Sequence, residues 1–356
     1  MVRRLLAWAQ KNERHLGALV FVFGFLTDII ALVLLEVSVV LAVAGIYLAL
    51  AALAVFLGHL AAPWRDHPRA WRRSVTVLLP LLAQYLIGNL LSWFLIFYTK
   101  SATLEASWPF LILLALVFLG NEWFRKYKDR LAFVAVLLFF VGYAYAIFAL
   151  PLLVGRLGPG VFLLSTGLAV GGLFLYLFLL AQASLPRRIG GLPQIIGASL
   201  AIVIVVVTSY FTGLIPPIPL SLKESGIYHS LTRTDQGYEV RGEAGRPWWD
   251  PRPDTIRAGS GTPLYAFSSV AAPSRFGAVV VHRWQRYDTE SRAWVTTSRI
   301  AFPISGGRME GYRGYSESSV TPGDWRVRVE TENGQVIGQL RFEAVGGTPI
   351  LRAEVK

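Results

Sequence analysis

From His15 to Leu60 nearly every position is apolar, five more apolar stretches follow before residue 215, and beyond it the pattern breaks into short alternating runs. A hydrocarbon core ~30 Å thick is crossed by about 20 apolar residues in a helix. The first run is too long for one helix and is interrupted by Glu36 and Ser38, so it predicts spans over 16–35 and 38–60. The later stretches predict spans over 75–98, 107–124, 131–150, 161–182 and 194–214. Ser107 is a candidate N-cap for the fourth, with Pro109 in its first turn. Residues 1–215 thus read as an α-helical membrane bundle of seven transmembrane helices.

After Gly213 the run Ile215-Pro216-Pro217-Ile218-Pro219 predicts a stiff extended connector, because proline fixes φ and bars helix. Residues 216–356 then read as an all-β domain, with strands near 226–233, 236–242, 263–271, 277–287, 292–302, 324–331 and 335–345. Trp325, Val327, Val329 and Thr331 alternate with Arg326, Arg328 and Glu330, one face apolar and one wet. Asn333-Gly334 follows and predicts a type I′ turn into a partner strand through Val336, Gly338, Leu340 and Phe342. A second hairpin runs from His282–Tyr287 through Asp288–Ser291 to Ala293–Thr297. Seven short antiparallel strands predict an Ig-like sandwich.

Charge sets the orientation. Residues 1–215 carry 16 Lys and Arg against 7 Asp and Glu, whereas 216–356 carry 18 against 15. Fourteen of the sixteen lie in the N-terminus and in the loops after the second, fourth and sixth spans; only Lys100 and Arg156 lie on the other side. Cytoplasmic loops accumulate Lys and Arg. The N-terminus is therefore expected in the cytoplasm and the C-terminal domain outside. The net charge of +12 then reports insertion, which points to the lipid bilayer as partner and away from nucleic acid. With 54% hydrophobic and 16% charged residues the chain is no single soluble domain, and its lack of cysteine excludes disulfides and thiolate chemistry. The apolar run is too long for a cleaved signal peptide, so the N-terminus is expected to stay attached. Residues 2–14 read either as a basic amphipathic helix on the lipid or as a solvated flank.

Ionisable groups at bilayer depth are functional candidates by default. Asp28 is the deepest, with Glu36, His59, Asn121 and Glu122 near the surfaces. Asp28 either pairs within the bundle or carries chemistry. Tyr85, Asn89 and Ser92 share one face of the third span and either join helices or line a polar cavity. Gly167 and Gly171 make a GxxxG that permits close helix approach. Only one of five histidines, His59, falls in a span, and no phosphate loop, HExxH or GxSxG is present. No metal, cofactor or catalytic residue is therefore assigned. No inverted repeat marks a transporter.

In the outer domain the segment 305–316 is the candidate ligand loop. Arg308 and Arg313 match carboxylate or phosphate, Tyr312 and Tyr315 offer flat faces to sugar rings, and four glycines let backbone approach a ligand. The alternative is a clasp, with both tyrosines packed over the sheet edge and the arginines paired to Glu310 and Glu317.

The run Gly261-Thr262-Pro263-Leu264-Tyr265-Ala266-Phe267, then Val281-His282-Arg283-Trp284, Gly306-Gly307-Arg308, Gly311-Tyr312-Arg313-Gly314-Tyr315-Ser316 and Gly323-Asp324-Trp325-Arg326-Val327 resembles the bacterial family labelled domain of unknown function 2914. The similarity extends over roughly 260–345. Leu220–Leu231 and Gly24–Asp28 resemble family members that carry the domain behind a polytopic membrane region. The resemblance implies an outward, periplasmic β domain on a bundle in the bacterial inner membrane and supplies no activity. Two functions follow: a module that binds or senses an envelope glycan, lipid or membrane-protein partner, or a membrane-embedded enzyme, transporter or transport accessory acting on envelope lipids or glycans. A scaffold for assembly is a third.

Overall fold

The computed structural model describes residues 25–30, 37–64, 68–101, 104–123, 131–183, 190–217, 219–235, 237–243, 245, 252–273, 276–305 and 311–356. Residues 25–30 are helical, and six longer helices follow: α1 Val37–Ala61, α2 Ala70–Ser101, α3 Leu104–Trp123, α4 Leu131–Val154, α5 Pro159–Ala183 and α6 Leu192–Phe211. Five of these regions are long and apolar enough to cross a membrane, and α3 holds a shorter apolar stretch over Ser107–Leu119. Each matches a predicted span to within a few residues; the first predicted span lies mostly outside the described residues. All are apolar around most of their circumference, the pattern of helices solvated by lipid rather than water.

Eleven strands follow: β1 Ser221–Tyr228, β2 Ser230–Thr234, β3 Gly237–Gly242, β4 Asp254–Arg257, β5 Thr262–Ala271, β6 Gly277–Asp288, β7 Ala293–Ser305, β8 Tyr312–Val320, β9 Gly323–Thr331, β10 Val336–Val345 and β11 Arg352–Val355. They form a five-stranded sheet in the order β4-β10-β9-β6-β7 and two three-stranded sheets, β1-β5-β8 and β11-β3-β2. This corrects the expectation of seven antiparallel strands: β10 pairs with β4 in parallel.

The five-stranded sheet and β1-β5-β8 supply the two halves of the core. Trp284, Trp325, Val327, Phe342 and Ala344 from the first meet Leu264, Ala266 and Val320 from the second, all buried. A neighbouring cluster joins Val280, Val329 and Ile337 to Val270. Burying each large apolar side chain is worth about 1.5–3 kcal/mol, so these clusters decide the strand register. The third sheet lies over Phe267 through Tyr238 of β3, whose ring sits 5.7 Å from it, beside Tyr228 of β1 at 6.5 Å. Glu243 ties it down, accepting from Arg257 N and Nη1, both at 2.6 Å, with His229 Nε2 3.2 Å away.

Both predicted hairpins form, with turn chemistry of their own. Gly334 N bonds Thr331 O and Thr331 N bonds Gln335 O, and only Gly334, at φ 84°, is left-handed. The loop is therefore three residues with a glycine bulge, and not type I′, which needs a positive φ at Asn333 as well. In the other hairpin Asp288 accepts from Ser291 N, Ser291 Oγ and Glu290 N, and Arg292 takes φ 52°.

The described residues divide into two compact units. One holds those up to Phe97, Leu111–Ala149 and Leu164–Val205; the other holds Tyr98–Phe110, Leu150–Leu163 and Val206–Lys356. Within the second unit Gly277 N at the start of β6 bonds Gly155 O in the α4–α5 turn at 3.0 Å, and Leu157 packs on the β core. Helix α6 ends in a Schellman motif with Gly213 at φ 73°: Leu214 N reaches Ser209 O and Gly213 N reaches Tyr210 O. Ile215, Pro216 and Pro217 are then buried, Gln335 Nε2 donates to Ile215 O, and Leu220 N turns back to Pro217 O. The connector predicted to be an extended spacer is packed down.

Candidate functional site

The outer face of β1-β5-β8 gathers the aromatic residues. Along β5, Leu264, Ala266, Ser268 and Val270 point into the sandwich, which sends Tyr265 and Phe267 to the opposite face. Register places Glu317 beside Tyr265 and Tyr315 beside Phe267. Tyr315 is 45% exposed, and its ring lies 5.9 Å from Tyr238 and 6.5 Å from Tyr265. Burial and the neighbouring Glu317 carboxylate push the Tyr265 phenol up. Its hydroxyl stays protonated and serves Glu317 as a donor. On the same strand face as Tyr315, Arg313 Nη1 donates to Lys356 O at 3.1 Å, while Lys356 Nζ pairs with Glu354 at 3.2 Å. Exposed aromatic rings flanked by a carboxylate, a guanidinium and an ammonium can stack on a sugar and hydrogen-bond its hydroxyls.

Two of the four residues predicted for the ligand loop, Arg313 and Tyr315, thus share this face. Tyr312 points the other way and packs on the β core. Arg308 lies outside the described residues. The segment from Tyr312 is strand β8 and not loop, a correction with a physical cause: Gly314 stands against the Phe302 ring, and Ser316 is buried by His282 and Trp284. Arg313 Nη1 bonds the Lys356 carbonyl. Tyr265 and Tyr238 are additions, and Glu317, named in the clasp alternative, stands beside Tyr265. Only Tyr265 was legible, by its alternation with Leu264 and Ala266.

Inside the sandwich lies a sealed polar network. Ser268 Oγ is 2.7 Å from His282 Nε2, His282 Nδ1 is 2.8 Å from Ser316 Oγ, and Trp284 Nε1 donates to Ser316 Oγ at 2.9 Å. Ser268 and His282 are 0% exposed. A serine against an imidazole is the start of nucleophile chemistry, but here no substrate reaches the hydroxyl; the network cross-links the sheets. Burial pushes the His282 imidazole down to about 4.

Of the intramembrane candidates, Asp28 and Ser92 come together. Ser92 Oγ donates to Asp28 Oδ2 at 2.6 Å and Trp93 Nε1 to Oδ1 at 3.0 Å. Tyr47 stacks on Trp93 at 5.4 Å. Tyr85 is 61% exposed, and Asn89 Nδ2 donates back to Tyr85 O on its own helix, so these two do not join the Asp28 cluster by hydrogen bonds. Glu36 lies outside the described residues. A Cβ added at Gly167 or Gly171 would meet no described atom within 4 Å, so among the described residues the GxxxG face meets no other helix. Among the described residues no three His, Asp or Glu side chains gather as metal ligands.

Comparison with known proteins gives a family match over part of the chain. Residues 278–344 match the family described as "Protein of unknown function (DUF2914)", the one the sequence resembles. The match runs from β6 to β10 and includes His282, Trp284, Arg313 and Tyr315. No curated protein matches the chain. Among solved structures, the Pseudomonas fluorescens alkylpurine DNA glycosylase AlkC, bound to DNA containing an abasic site analog, aligns over 86% of this chain and 98% of its own at 11% identity. Its TM-score of 0.23 carries no argument about fold or activity.

Proposed function

We propose that the protein is a seven-span bacterial inner-membrane protein, N-terminus cytoplasmic, whose Ig-like outer sandwich recognises a glycan of the cell envelope. The observation that carries the reading is the Tyr265–Tyr315–Tyr238 face with Glu317 and Arg313 at its edge. The described helix order supports the sidedness. The α2–α3 junction, the α4–α5 turn and the end of α6 all belong to the same compact unit as the β domain, as expected of successive up and down spans. Those same junctions carry the two basic residues of the charge-poor side, Lys100 and Arg156. The short connector holds the domain to the end of the last span, so its ligand must be within reach of the membrane surface.

The alternative, a membrane-embedded enzyme, transporter or transport accessory, rests on Asp28. Both its oxygens are already occupied by Ser92 and Trp93, which favours a paired structural carboxylate.

The test is cosedimentation of the full-length protein, in detergent, with insoluble peptidoglycan. Wild type should pellet with the glycan and Tyr315→Ala should lose about tenfold in retention, the worth of one stacking contact plus buried ring area. Equal retention of both proteins, or no retention of wild type, removes the glycan reading.

A further inference from the structure

The other face of the β domain carries a different signal, independent of the aromatic one. In the five-stranded sheet, register sets Arg283 of β6 directly opposite Arg299 of β7 on one side and Arg328 of β9 on the other. Directly opposed residues point to the same face. Three arginines therefore stand in one row across three adjacent strands, about 4.8 Å apart from strand to strand. The next row adds Arg326 and, opposite it on β10, Arg341. Like charges directly opposed destabilise a sheet. A protein that keeps five of them on one face has a use for the field.

Glu330 lies within the three-arginine row, and Asp324 and Glu343, opposite each other, share the face one row beyond Arg326 and Arg341. Glu330 is 0% exposed, and Arg283 Nη2 stands 2.7 Å from its Oε1. Its Oε2 and the Nε of Arg283 are buried and have no hydrogen-bond partner among the described residues. Burial raises the Glu330 carboxyl, against the pull of Arg283, Arg328 and Arg299. A single buried carboxylate thus faces three guanidiniums and anchors the row, and Arg299 Nη2 donates to Glu332 O at 2.9 Å. Arg326 is held ready beside them: its Nε donates to Gln285 Oε1 at 2.7 Å, its guanidinium lies 4.4 Å over Trp294, and Gln285 Nε2 is fixed in turn by Thr296 Oγ1. Arg299 and Arg341 are exposed, so the row is open to solvent.

A ligand for this row must offer several oxygens to several planar forks at once. A carboxylate has two; a phosphate group has three or more and matches guanidinium geometry. We propose that the outer face of the five-stranded sheet is a binding site for a phosphate-bearing anion, held by Arg283, Arg299 and Arg328 with Arg326 at its side. In an envelope that chemistry comes either from the headgroup of an anionic lipid or from a soluble phosphate-bearing polymer.

The probe is inorganic pyrophosphate, titrated calorimetrically into the full-length protein in detergent at low and high salt. Wild type should bind, more weakly as salt rises. The pair Arg299→Gln with Arg326→Gln, which leaves the Arg283–Glu330 anchor in place, should lose about tenfold or more in affinity, as expected when charge-assisted hydrogen bonds are removed. Arg241→Gln on the third sheet should change nothing. Arg299→Lys, which keeps the charge but not the fork, gives a second reading and should weaken binding several-fold. Absence of pyrophosphate binding by wild type, undiminished binding by both Arg299 variants, or an equal loss in Arg241→Gln overturns the proposal. Repeating the titration in phosphatidylcholine nanodiscs, with and without phosphatidylglycerol, separates the sources. Suppression by phosphatidylglycerol assigns the site to lipid headgroups, and equal binding in both assigns it to a soluble polymer.

Discussion

Ser268 and His282 meet 2.7 Å apart in the middle of the β sandwich, one from each facing sheet, and neither is exposed. With the bonds of Ser316 to His282 and Trp284, the contact cross-links two sheets whose core is otherwise apolar, and it makes the domain sensitive to acid. Burial lowers the imidazole to about 4 in the folded state, against 6.5 when it is free. The unfolded chain therefore binds the proton first as pH falls, so stability is complete above about 6.5 and is lost on the way down to 4. The largest loss from this one group is roughly 3 kcal/mol. Melting temperatures of the protein at pH 7 and pH 4.5 should differ accordingly, and His282→Gln should flatten the difference while lowering stability at pH 7. An unchanged pH profile in His282→Gln would mean that another group controls it.

Asp28 should matter to the membrane helices through its two donors. Ser92→Ala removes one side-chain hydrogen bond and should cost about 1–3 kcal/mol; Asp28→Leu removes both and strands the buried Ser92 hydroxyl and Trp93 N–H. Thermal unfolding in detergent, followed by tryptophan fluorescence, should rank wild type above Ser92→Ala above Asp28→Leu. Equal melting of all three would show that the cluster is not structural and return Asp28 to the list of chemical groups.

Gly314 should be irreplaceable for a packing reason. A methyl group there would run into the Phe302 ring inside the sandwich, so Gly314→Ala should destabilise by about 1–3 kcal/mol through overpacking. The double change Gly314→Ala with Phe302→Leu should recover part of that loss. Denaturant midpoints of the three variants decide it, and an unaffected Gly314→Ala would mean that the ring moves aside freely.

The reasons for the sequence reading's successes and failures are visible in particular strands. Hydropathy placed α1 to α6 because lipid demands long apolar helices regardless of their neighbours. β9 and β10 were legible because Trp325, Val327 and Val329 alternate cleanly with arginines. β8 was hidden because its alternation is inverted: its inward residues are Gly314, Ser316 and Ser318, chosen to fit Phe302 and to bond His282, Trp284 and Ser298, while its outward residues are Arg313, Tyr315 and Glu317. β4 and β11 have four residues each, too few for a period. The arginine row needs the register of three strands, and the Asp28 partners stand 64 and 65 positions away, distances no local pattern spans.

The account stands on the β domain facing outward, and the absence of native cysteine makes that directly measurable. Glu290, exposed in the β6–β7 turn, and Arg69, exposed between α1 and α2, are each replaced singly by cysteine and treated with a membrane-impermeant maleimide on bacterial cells whose outer membrane has been made permeable. Glu290→Cys should label with the inner membrane intact, and Arg69→Cys only after it is broken. Labelling of Arg69→Cys on sealed inner membranes, with Glu290→Cys protected, would place the domain inside and contradict the account.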